Sequence, residues 1–498
     1  MERSDLQNLN LADCYVGMAN RLGDQPAVIT MSDSISHRQL VDRSFQIARV
    51  LEEEGVRAGD RVGLAIRSPI ETIAHAIALW QLGAVLVSLD FRLRGEQRDK
   101  LVSKFNIKSV LQDAKPSGPA GYVAINIDGV WKDRLSKASV NPRRPSNAGH
   151  PAMIMLTSGT SGEPTGIQRG HTTILARNLL EQSGKNICVG GTLVIAQPLN
   201  FAAPFNKALG QLLQGGSVRV VPFITSASQL IETVNETAAE KLFVVPKQLR
   251  ELLMQSKNSA EPIFPHLKSL INGGGQTSAD ENFRSYKELS NCYQLNYASS
   301  LTGLVSELFG KDCETISDSV GYLLGMNNVE IADADGNPVP RGEEGLIKVR
   351  GPAMAQAIIG SNRDDSDRII DGWAIPGDVG VLDANNVLRI SGRNSEMIIR
   401  GGANVFPKEI ENCIDQLSGV QEVAVVGVDD PVLGEEIAAF VTTEPGFDET
   451  LIKNHVQVSL PADKRPRHII VVDSLPRNGM GKVMKFQLKD NFAKQLEE

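Results

Sequence analysis

The amino-acid sequence predicts an α/β protein. We expect a large N-terminal domain with mostly parallel, helix-covered sheets and a β-meander or barrel-like part, followed by a small α+β C-terminal domain. Three observations support this prediction. The chain has 498 residues, which is too many for one ordinary hydrophobic core. Strand and helix patterns alternate over most of its length, as in βαβ units. Near residue 330 this alternation gives way to strands joined by turn residues.

The alternation is clearest near the N-terminus. Residues 40–54 carry apolar side chains at helical spacing, and the glycine that follows them is typical of a helix end. Residues 61–66 and 84–87 have the pattern of short buried strands, with a helical pattern at 70–82 between them. Further buried strands are predicted at 193–196, 218–222 and 242–245. We therefore expect a largely parallel sheet covered by helices.

The second half of the chain has a different pattern. Residues 329–332 and 345–349 are predicted meander strands, and the turn-forming sequence Asp335-Gly336-Asn337-Pro338 lies between them. A second compact region starts near residue 393. It is predicted to contain a helix at 407–417, strands at 420–428 and 436–442, and a helix at 449–460. Because about 100 residues suffice for a small domain, the predicted domains are 1–392 and 393–498.

Composition and charge exclude several classes of protein. The net charge of −8 argues against a general nucleic-acid binder, which normally has a basic surface. The five cysteines form no CxxC pair, which favours reduced thiols in a cytoplasmic protein over a zinc site. The N-terminus lacks the apolar core of a signal peptide. The most apolar stretch, residues 73–89, is interrupted by polar residues and glycine, so we expect no stable membrane insertion. A homodimer is compatible with the sequence.

A glycine- and hydroxyl-rich segment follows the apolar run at 152–156. Its glycines let the backbone turn tightly and bring N–H groups close to a ligand, and its hydroxyls add donors, so the segment could wrap a polyphosphate. It lacks the Gly-Lys-Ser/Thr of a Walker A loop. Ser/Thr/Gly clusters alone are more often flexible surface loops. The residues concerned are Thr157, Ser158, Gly159, Thr160, Ser161 and Gly162.

Six blocks in order make the resemblance specific. The segment at 156–166 resembles the phosphate loop of the acyl-adenylate-forming superfamily, which includes acyl-CoA synthetases, peptide-synthetase adenylation domains and luciferases. The other blocks lie at 333–345, 376–378, 390–393, 400–407 and 475–482, and the matching blocks run through almost the whole chain. The form of the block at 400–407 is closest to the acyl-CoA synthetases.

The resemblance implies roles for individual residues. Lys482 would balance the charge that develops between the carboxylate and the α-phosphate, and Asp378 and Arg393 would meet the ribose. Tyr297 would stack on adenine beside the glycine wall at Gly274, and Ser300 would meet a phosphate. Gly401 and Gly402 would approach the thiol acceptor. The acyl pocket would be lined by Phe201, Ala202, Ala203, Phe205, Gly273, Gly275, Ala298 and Ser299.

The chain departs from the family pattern at charged positions. The lysine usual after the proline of the phosphate loop is replaced by Thr165. The metal-binding glutamate usual after Ser300 is replaced by Leu301, which cannot ligate a metal, so the metal ligands stay unknown. Glu307 is the next carboxylate along the chain and is a candidate substitute. The residue at the usual hinge position is Ser395.

The predicted activity has two steps. A carboxylic acid attacks the α-phosphate of MgATP and releases pyrophosphate, and the acyl-AMP is then transferred to coenzyme A. The resemblance implies that the C-terminal domain is mobile and rotates about Ser395 between the steps, withdrawing Lys482. Two alternatives remain: an adenylating enzyme with a carrier-protein or amine acceptor, and a nucleotide-binding family member that has lost turnover.

The identity of the acid is predicted only by class. The pocket positions above are apolar or small, which favours an aryl or medium aliphatic acid. No Lys, Arg or His stands among them, which disfavours a dicarboxylate.

Overall fold

The computed structural model describes residues 9–93, 95–113, 122–140, 150–158, 164–182, 184, 189–222, 225–256, 261–360, 368–477 and 483–497. The chain divides into two compact units. Unit 1 contains residues 1–329 and 349–374, and unit 2 contains residues 330–348 and 375–498. The predicted domain boundary at residue 393 stays a prediction. The division into compact units differs from it, because residues 330–348 and 375–392 belong to the same unit as the C-terminal residues.

The described helices and strands alternate as the sequence predicts. The helices are α1 (Leu11–Leu22), α2 (His37–Glu53), α3 (Pro69–Gln81), α4 (Gly95–Lys104), α5 (Gly129–Lys137), α6 (His171–Leu180), α7 (Ala202–Leu213), α8 (Ala227–Glu236), α9 (Pro246–Gln255), α10 (Ala279–Arg284), α11 (Pro407–Ile414), α12 (Thr450–Ser459) and α13 (Lys485–Glu497). Single helical turns of other types cover Ser285–Leu289, Gly310–Glu314, Asn394–Glu396 and Ala462–Lys464.

The strands are named in chain order. They are β1 (Pro26–Ile29), β2 (Ser34–Ser36), β3 (Arg61–Ala65), β4 (Val85–Ser88), β5 (Ser109–Gln112), β6 (Val123–Asn126), β7 (Met153–Ser158), β8 (Pro164–Arg169), β9 (Thr192–Ile195), β10 (Ser217–Val220), β11 (Lys241–Val244), β12 (Ser269–Gly273), β13 (Tyr293–Ser299), β14 (Gly303–Phe309), β15 (Tyr322–Leu323), β16 (Asn328–Ala332), β17 (Glu344–Arg350), β18 (Ala357–Ile359), β19 (Ile369–Ile370), β20 (Trp373–Ala374), β21 (Asp378–Leu382), β22 (Leu388–Arg393), β23 (Ile398–Arg400), β24 (Ala403–Val405), β25 (Val420–Asp430), β26 (Gly434–Thr443) and β27 (His468–Val471).

Two large sheets form the framework of unit 1. A nine-stranded sheet has the order β15-β14-β13-β12-β11-β9-β10-β1-β2. Its strands from β13 to β1 are parallel, and its antiparallel strands lie at both ends. A seven-stranded sheet has the order β18-β8-β7-β4-β3-β5-β6 and is parallel from β7 to β6. This confirms the predicted helix-covered, mostly parallel architecture.

Helix α3 shows why the most apolar stretch of the sequence is a core element. The Ser68 side chain caps its N-terminus by accepting a hydrogen bond from the Glu71 N–H group, and Pro69 occupies the first turn. Its side chains from Ile70 to Gln81 are buried almost all round. A helix of this kind belongs inside a large core. In the described part of the chain, no helix is long and apolar enough to span a membrane.

Unit 2 combines a meander with a small α+β core. Strand β21 pairs antiparallel with the first residues of β17 and with β22. A separate five-stranded sheet has the order β24-β23-β26-β25, with β27 beside β26. Apolar side chains of this sheet pack against α11 and α12 to form one core cluster. The α+β character predicted for the C-terminal region is therefore present.

Candidate active site

The predicted phosphate loop joins two adjacent strands of the seven-stranded sheet. Strands β7 and β8 are antiparallel, and Ser158 pairs with Pro164 across the connection. The Thr157 and Thr165 hydroxyl oxygens are 3.0 Å apart. Thr165 is only 2% exposed, so the residue that replaces the usual lysine is part of the packed hairpin. Gly159, Thr160, Ser161 and Gly162 lie outside the described residues, and their roles stay predictions.

The predicted glycine wall and the predicted adenine-stacking tyrosine lie at neighbouring strand ends. Strands β12 and β13 are parallel, and Gly273 pairs with Asn296, the residue before Tyr297. Ligands of open α/β sheets bind at the carboxyl ends of parallel strands, which is where these residues are. Gly274 has a φ of 85°, a conformation that favours glycine, and a Cβ on Gly275 would lie 3.1 Å from the Pro246 side chain. The arrangement suits a flat ligand close to the backbone.

The turn after β13 holds the predicted phosphate and metal positions. The Ser299 hydroxyl accepts hydrogen bonds from the Leu301 and Thr302 N–H groups at 3.1 and 3.0 Å, which fixes the turn around Ser300. Leu301 is 1% exposed and packs in an apolar cluster with Ile167. No metal ligand is therefore available at this position.

Glu307, the candidate substitute for the missing carboxylate, lies away from the turn at Leu301, and its role as a metal ligand stays a prediction. It lies on β14, four residues beyond Gly303, which is about 13 Å along an extended strand. Its side chain is buried and accepts a hydrogen bond from the Gln294 amide at 3.3 Å. Among the residues that the structure describes, no group of three or more His, Cys, Asp or Glu side chains could hold a metal ion.

A buried arginine lies against the same turn. The Arg169 guanidinium donates a hydrogen bond to the Ser300 carbonyl oxygen, and the side chain is fully buried. Burial holds the pKa of Arg169 well below its usual range, and the nearby Arg177 lowers it further. This burial was not predicted, because Arg169 ends a strand at a position where a charged side chain is usually solvated.

The two predicted ribose-binding residues form an ion pair in unit 2. Asp378 and Arg393 are paired across β21 and β22, and the Arg393 Nε atom lies 3.1 Å from the Asp378 Oδ1 atom. Asp378 is 5% exposed. Gly377, with a φ of 85°, makes the turn before it, and its carbonyl oxygen accepts a hydrogen bond from the Asn394 N–H group. The structure thus brings both residues together with a defined orientation.

The predicted acceptor and catalytic segments also belong to unit 2. Gly401 and Gly402 are exposed and form the turn between β23 and β24, with φ values of 57° and 86°. Lys482 lies outside the described residues. The segment that contains it is flanked by a bridge between Arg477 and Val483. Helix α13 begins shortly afterwards, and its Lys485 ammonium lies within 2.9 Å of the Glu396 carboxylate.

The predicted acyl-pocket residues divide into two sets. Phe201 and Ala202 are half-buried at the start of α7, and the Arg92 guanidinium lies 5.8 Å from the Phe201 ring centroid. Ala298 is exposed at the carboxyl end of β13. Phe205, in contrast, is 1% exposed and packs in the apolar core of unit 1. The roles of these residues stay predictions.

A cavity of about 50 Å³ lies in unit 1, against the nine-stranded sheet. Its sheet side includes Lys241, Ser269, Gln294, Asn296 and Glu307. Leu193 and Ile271 add apolar side chains to this side, so the lining is mixed, and the mainly apolar acid pocket expected from the sequence stays a prediction.

The other side of the cavity is formed by two helices. Glu181 and Gln182 follow α6, and Lys207, Gln211 and Gln214 come from α7 and its C-terminal cap. These residues were not predicted as pocket residues, because none of them stands in a recognised sequence block.

Comparisons with known proteins identify the family to which this α/β arrangement belongs. Residues 18–358 match the family described as AMP-binding enzyme, and residues 409–482 match the AMP-binding enzyme C-terminal domain. The chain therefore belongs to the AMP-binding enzyme family. This confirms the predicted membership of the acyl-adenylate-forming superfamily, close to the acyl-CoA synthetases.

Several relatives match over nearly their full length. Feruloyl-CoA synthase from Amycolatopsis sp is 26% identical, over 98% of this chain and 100% of that protein. 4-Chlorobenzoate–CoA ligase from Arthrobacter sp is 28% identical, over 94% of this chain and 92% of that protein. The structure of ATP-bound MatB from Rhodopseudomonas palustris matches with a TM-score of 0.87 and 26% identity, over 97% of this chain and 99% of that chain.

Proposed function

We propose that this protein is an AMP-forming acid–CoA ligase. It activates a carboxylic acid with ATP and transfers the acyl group to coenzyme A. Family membership and relatives that are themselves acid–CoA ligases support this function. The structural observation that supports it most strongly is the ion pair between the buried Asp378 and the half-buried Arg393 at the predicted ribose position. A carboxylate oriented in this way can accept hydrogen bonds from ribose hydroxyls.

In the first step the substrate carboxylate oxygen attacks the α-phosphorus of ATP. A P–O bond forms to the acid, the bond to the β-phosphate breaks, and pyrophosphate leaves. Such a reaction depends on positioning and on charge complementarity. We propose that Lys482 balances the negative charge that develops at the α-phosphate. We propose that the segment from Thr157 to Gly162 binds the polyphosphate. Tyr297 would stack on the adenine.

In the second step the thiol of coenzyme A attacks the acyl carbon. The C–O bond to AMP breaks, AMP leaves, and the thiol proton passes to solvent. We assign the approach of the acceptor to the turn at Gly401 and Gly402. Mg²⁺ would arrive bound to the ATP phosphates and water, as is common for this ion. Leu301 offers it no ligand.

The test is pyrophosphate release from MgATP across a panel of carboxylic acids, with and without coenzyme A. We expect acid-dependent release in the wild type and formation of acyl-CoA once coenzyme A is added. Because Lys482 would stabilise charge in the transition state, Lys482→Ala should slow release by about 100-fold or more. Lys453→Ala, at an exposed lysine of α12, is the matched control and should leave release unchanged.

Other results of this assay would support one of the two alternative functions. Release without acyl-CoA formation would indicate an amine or carrier-protein acceptor. AMP binding without release for any acid would contradict the proposal and indicate a family member that has lost turnover.

A further inference from the structure

The polar cavity lies on one continuous face of the nine-stranded sheet. Lys241 pairs with Ser269 across β11 and β12, and Ile271 pairs with Gln294 across β12 and β13. Paired residues of neighbouring strands project from the same side of a sheet. The opposite side is apolar, since Leu242, Leu270, Tyr293 and Leu295 pack in a core cluster. The cavity face thus carries polar side chains beside apolar ones such as Leu193 and Ile271, although it is covered by helices.

The cavity begins beside the predicted acyl site. Gly273, a predicted pocket residue, pairs directly with Asn296, which lines the cavity. Ile271, also in the lining, is two residues before Gly273 on the same strand, or roughly 7 Å away. A ligand that enters at the carboxyl ends of the parallel strands and runs down β12 and β13 would reach the cavity with its far end.

Charged side chains of the lining are already held by partners. The Lys207 ammonium lies 3.2 Å from the Glu181 carboxylate. The Lys241 ammonium donates hydrogen bonds to the Gln211 and Gln214 side-chain oxygens at 2.8 and 3.0 Å.

The fourth charged residue is engaged as well. The Glu307 carboxylate accepts a hydrogen bond from the Gln294 amide. Cations and carboxylates are thus equal in number in the lining, which favours a neutral ligand group over a charged one.

One acceptor of the lining has no partner. Within the described residues, the Asn296 Oδ1 atom is buried and receives no hydrogen bond. Leaving a buried acceptor unsatisfied is unfavourable, and a hydroxyl or amide N–H group of a ligand would relieve it. The volume of about 50 Å³ is sufficient for one small polar group, since a water molecule in the liquid takes up about 30 Å³.

We propose that this cavity receives the far end of the acid, and that the preferred substrate carries a neutral hydrogen-bond donor there, such as a hydroxyl or a primary amide. The proposal rests on the proposed function and names the substrate class of the same site. It replaces the plain aryl or aliphatic acid expected from the sequence.

The experiment compares matched acids in the pyrophosphate-release assay. Hexanoic acid is tested against 6-hydroxyhexanoic acid and the monoamide of adipic acid, with the homologues of four and eight carbons. Adipic acid and 6-aminohexanoic acid supply the charged counterparts. The hydroxyl or amide acid of the best length should exceed its alkyl counterpart in kcat/KM by about 3- to 10-fold, the usual worth of one neutral hydrogen bond.

Two variants locate the effect. Asn296→Ala removes the acceptor and should bring the ratio of kcat/KM for the hydroxyl or amide acid to that for the alkyl acid close to one. Asn235→Ala, at an exposed asparagine of α8, should keep the preference. Titration calorimetry in the presence of AMP measures the affinity of the protein for each of the same acids, so the preference can be determined even if no pyrophosphate is released.

The outcomes separate the two proposals. A kcat/KM that is higher for alkyl, aryl or charged acids than for the hydroxyl and amide acids would overturn this inference and leave the ligase function intact. A preference for the hydroxyl or amide acid that persists in Asn296→Ala would do the same. Silence of the release assay with every acid would contradict the ligase function, and the calorimetric ranking would then decide the present inference.

Discussion

Leu301 and Thr165 stand where the family usually has a charged side chain, and both are integrated into their surroundings. Leu301 packs against Ile167 in an apolar cluster, and the Thr165 hydroxyl meets that of Thr157. Each replacement has thus removed a charge and filled its place with matching contacts. Under the proposed function the polyphosphate would then be balanced by other groups, which would make Lys482 and the backbone N–H groups of the predicted phosphate loop more important to this protein.

Restoring the family glutamate should therefore destabilise the protein. Leu301→Glu loses apolar burial and places a carboxyl group in an apolar cluster, so the free energy of unfolding should fall by about 2–4 kcal/mol. Burial raises the pKa of such a carboxyl, so the folded protein holds the proton longer than the unfolded chain. The deficit should then be larger at pH 7.5 than at pH 4.5. Denaturant unfolding at both values measures it.

Leu301→Met is the matched control for this prediction. It conserves volume and polarity and should cost less than about 1.5 kcal/mol. A Glu variant as stable as the Met variant would mean that the side chain reaches solvent or a metal ion from this position.

At the scale of secondary-structure elements, helix α13 is anchored by one lysine. The Lys485 ammonium lies 2.9 Å from the Glu396 carboxylate and 2.8 Å from that of Glu411. Burial alone would lower the pKa of Lys485, but the two carboxylates outweigh it and raise the pKa. Lys489, one helical turn later, is more exposed and pairs with Asp429 at 3.1 Å.

Removing these two lysines should have unequal effects. Lys485→Met leaves two partly buried carboxylates without their shared cation, and should lower the stability of unit 2 by about 1–3 kcal/mol. Lys489→Met breaks exposed pairs and should cost less than about 1 kcal/mol. Thermal unfolding of both variants measures the difference. Equal losses would show that the Lys485 contacts contribute no more than surface pairs.

At the scale of the whole molecule, buried histidines make stability depend on pH. His37, His75 and His171 lie in unit 1, and burial lowers the pKa of each. For His171 the pKa is lowered from 6.5 to about 4. Its neutral ring accepts a hydrogen bond from the Leu11 N–H group at 3.2 Å, which a protonated ring could not do.

Acid should therefore weaken the fold before carboxylates titrate. Because the unfolded chain binds the proton first, the stability from neutral His171 is complete above pH 6.5 and is lost as pH falls towards 4. This one ring should account for about 3 kcal/mol over that range. The midpoint of thermal unfolding between pH 8 and 4.5 measures it. His171→Gln should flatten the dependence, whereas His266→Gln, at an exposed position, should not change it.

How well the sequence predicted each element of the fold and the candidate site depends on what that element contacts. Strands β9 and β11 are almost fully buried, so each appears in the sequence as a short apolar run. Their predicted positions are therefore within a residue or two of the observed ones. The resemblance singled out Asp378 and Arg393, since both residues stand in recognisable blocks, but their ion pair depends on the pairing of β21 with β22 and was not predicted.

The polar cavity could not be predicted in this way. Ser269 and Gln294 alternate with apolar neighbours, a pattern that normally indicates one solvent-facing side of a strand. Only the packing of α6 and α7 over that side turns it into an interior surface. Arg169 escaped notice for a similar reason, since its burial depends on the turn after β13 from a distant part of the chain.

The polar cavity also limits how far natural selection or engineering can raise the thermal stability of this protein without changing its substrate specificity. Replacing a buried polar network with well-packed apolar side chains is often neutral or stabilising. Repacking Gln211, Gln214 and Lys241 with leucine or methionine would follow that route. The same exchange would remove the polar surroundings in which, as proposed, Asn296 meets a hydrogen-bonding substrate, a trade-off between stability and activity that is common at functional sites. Thermophilic homologues with an apolar lining should therefore consume simpler acids than this protein does.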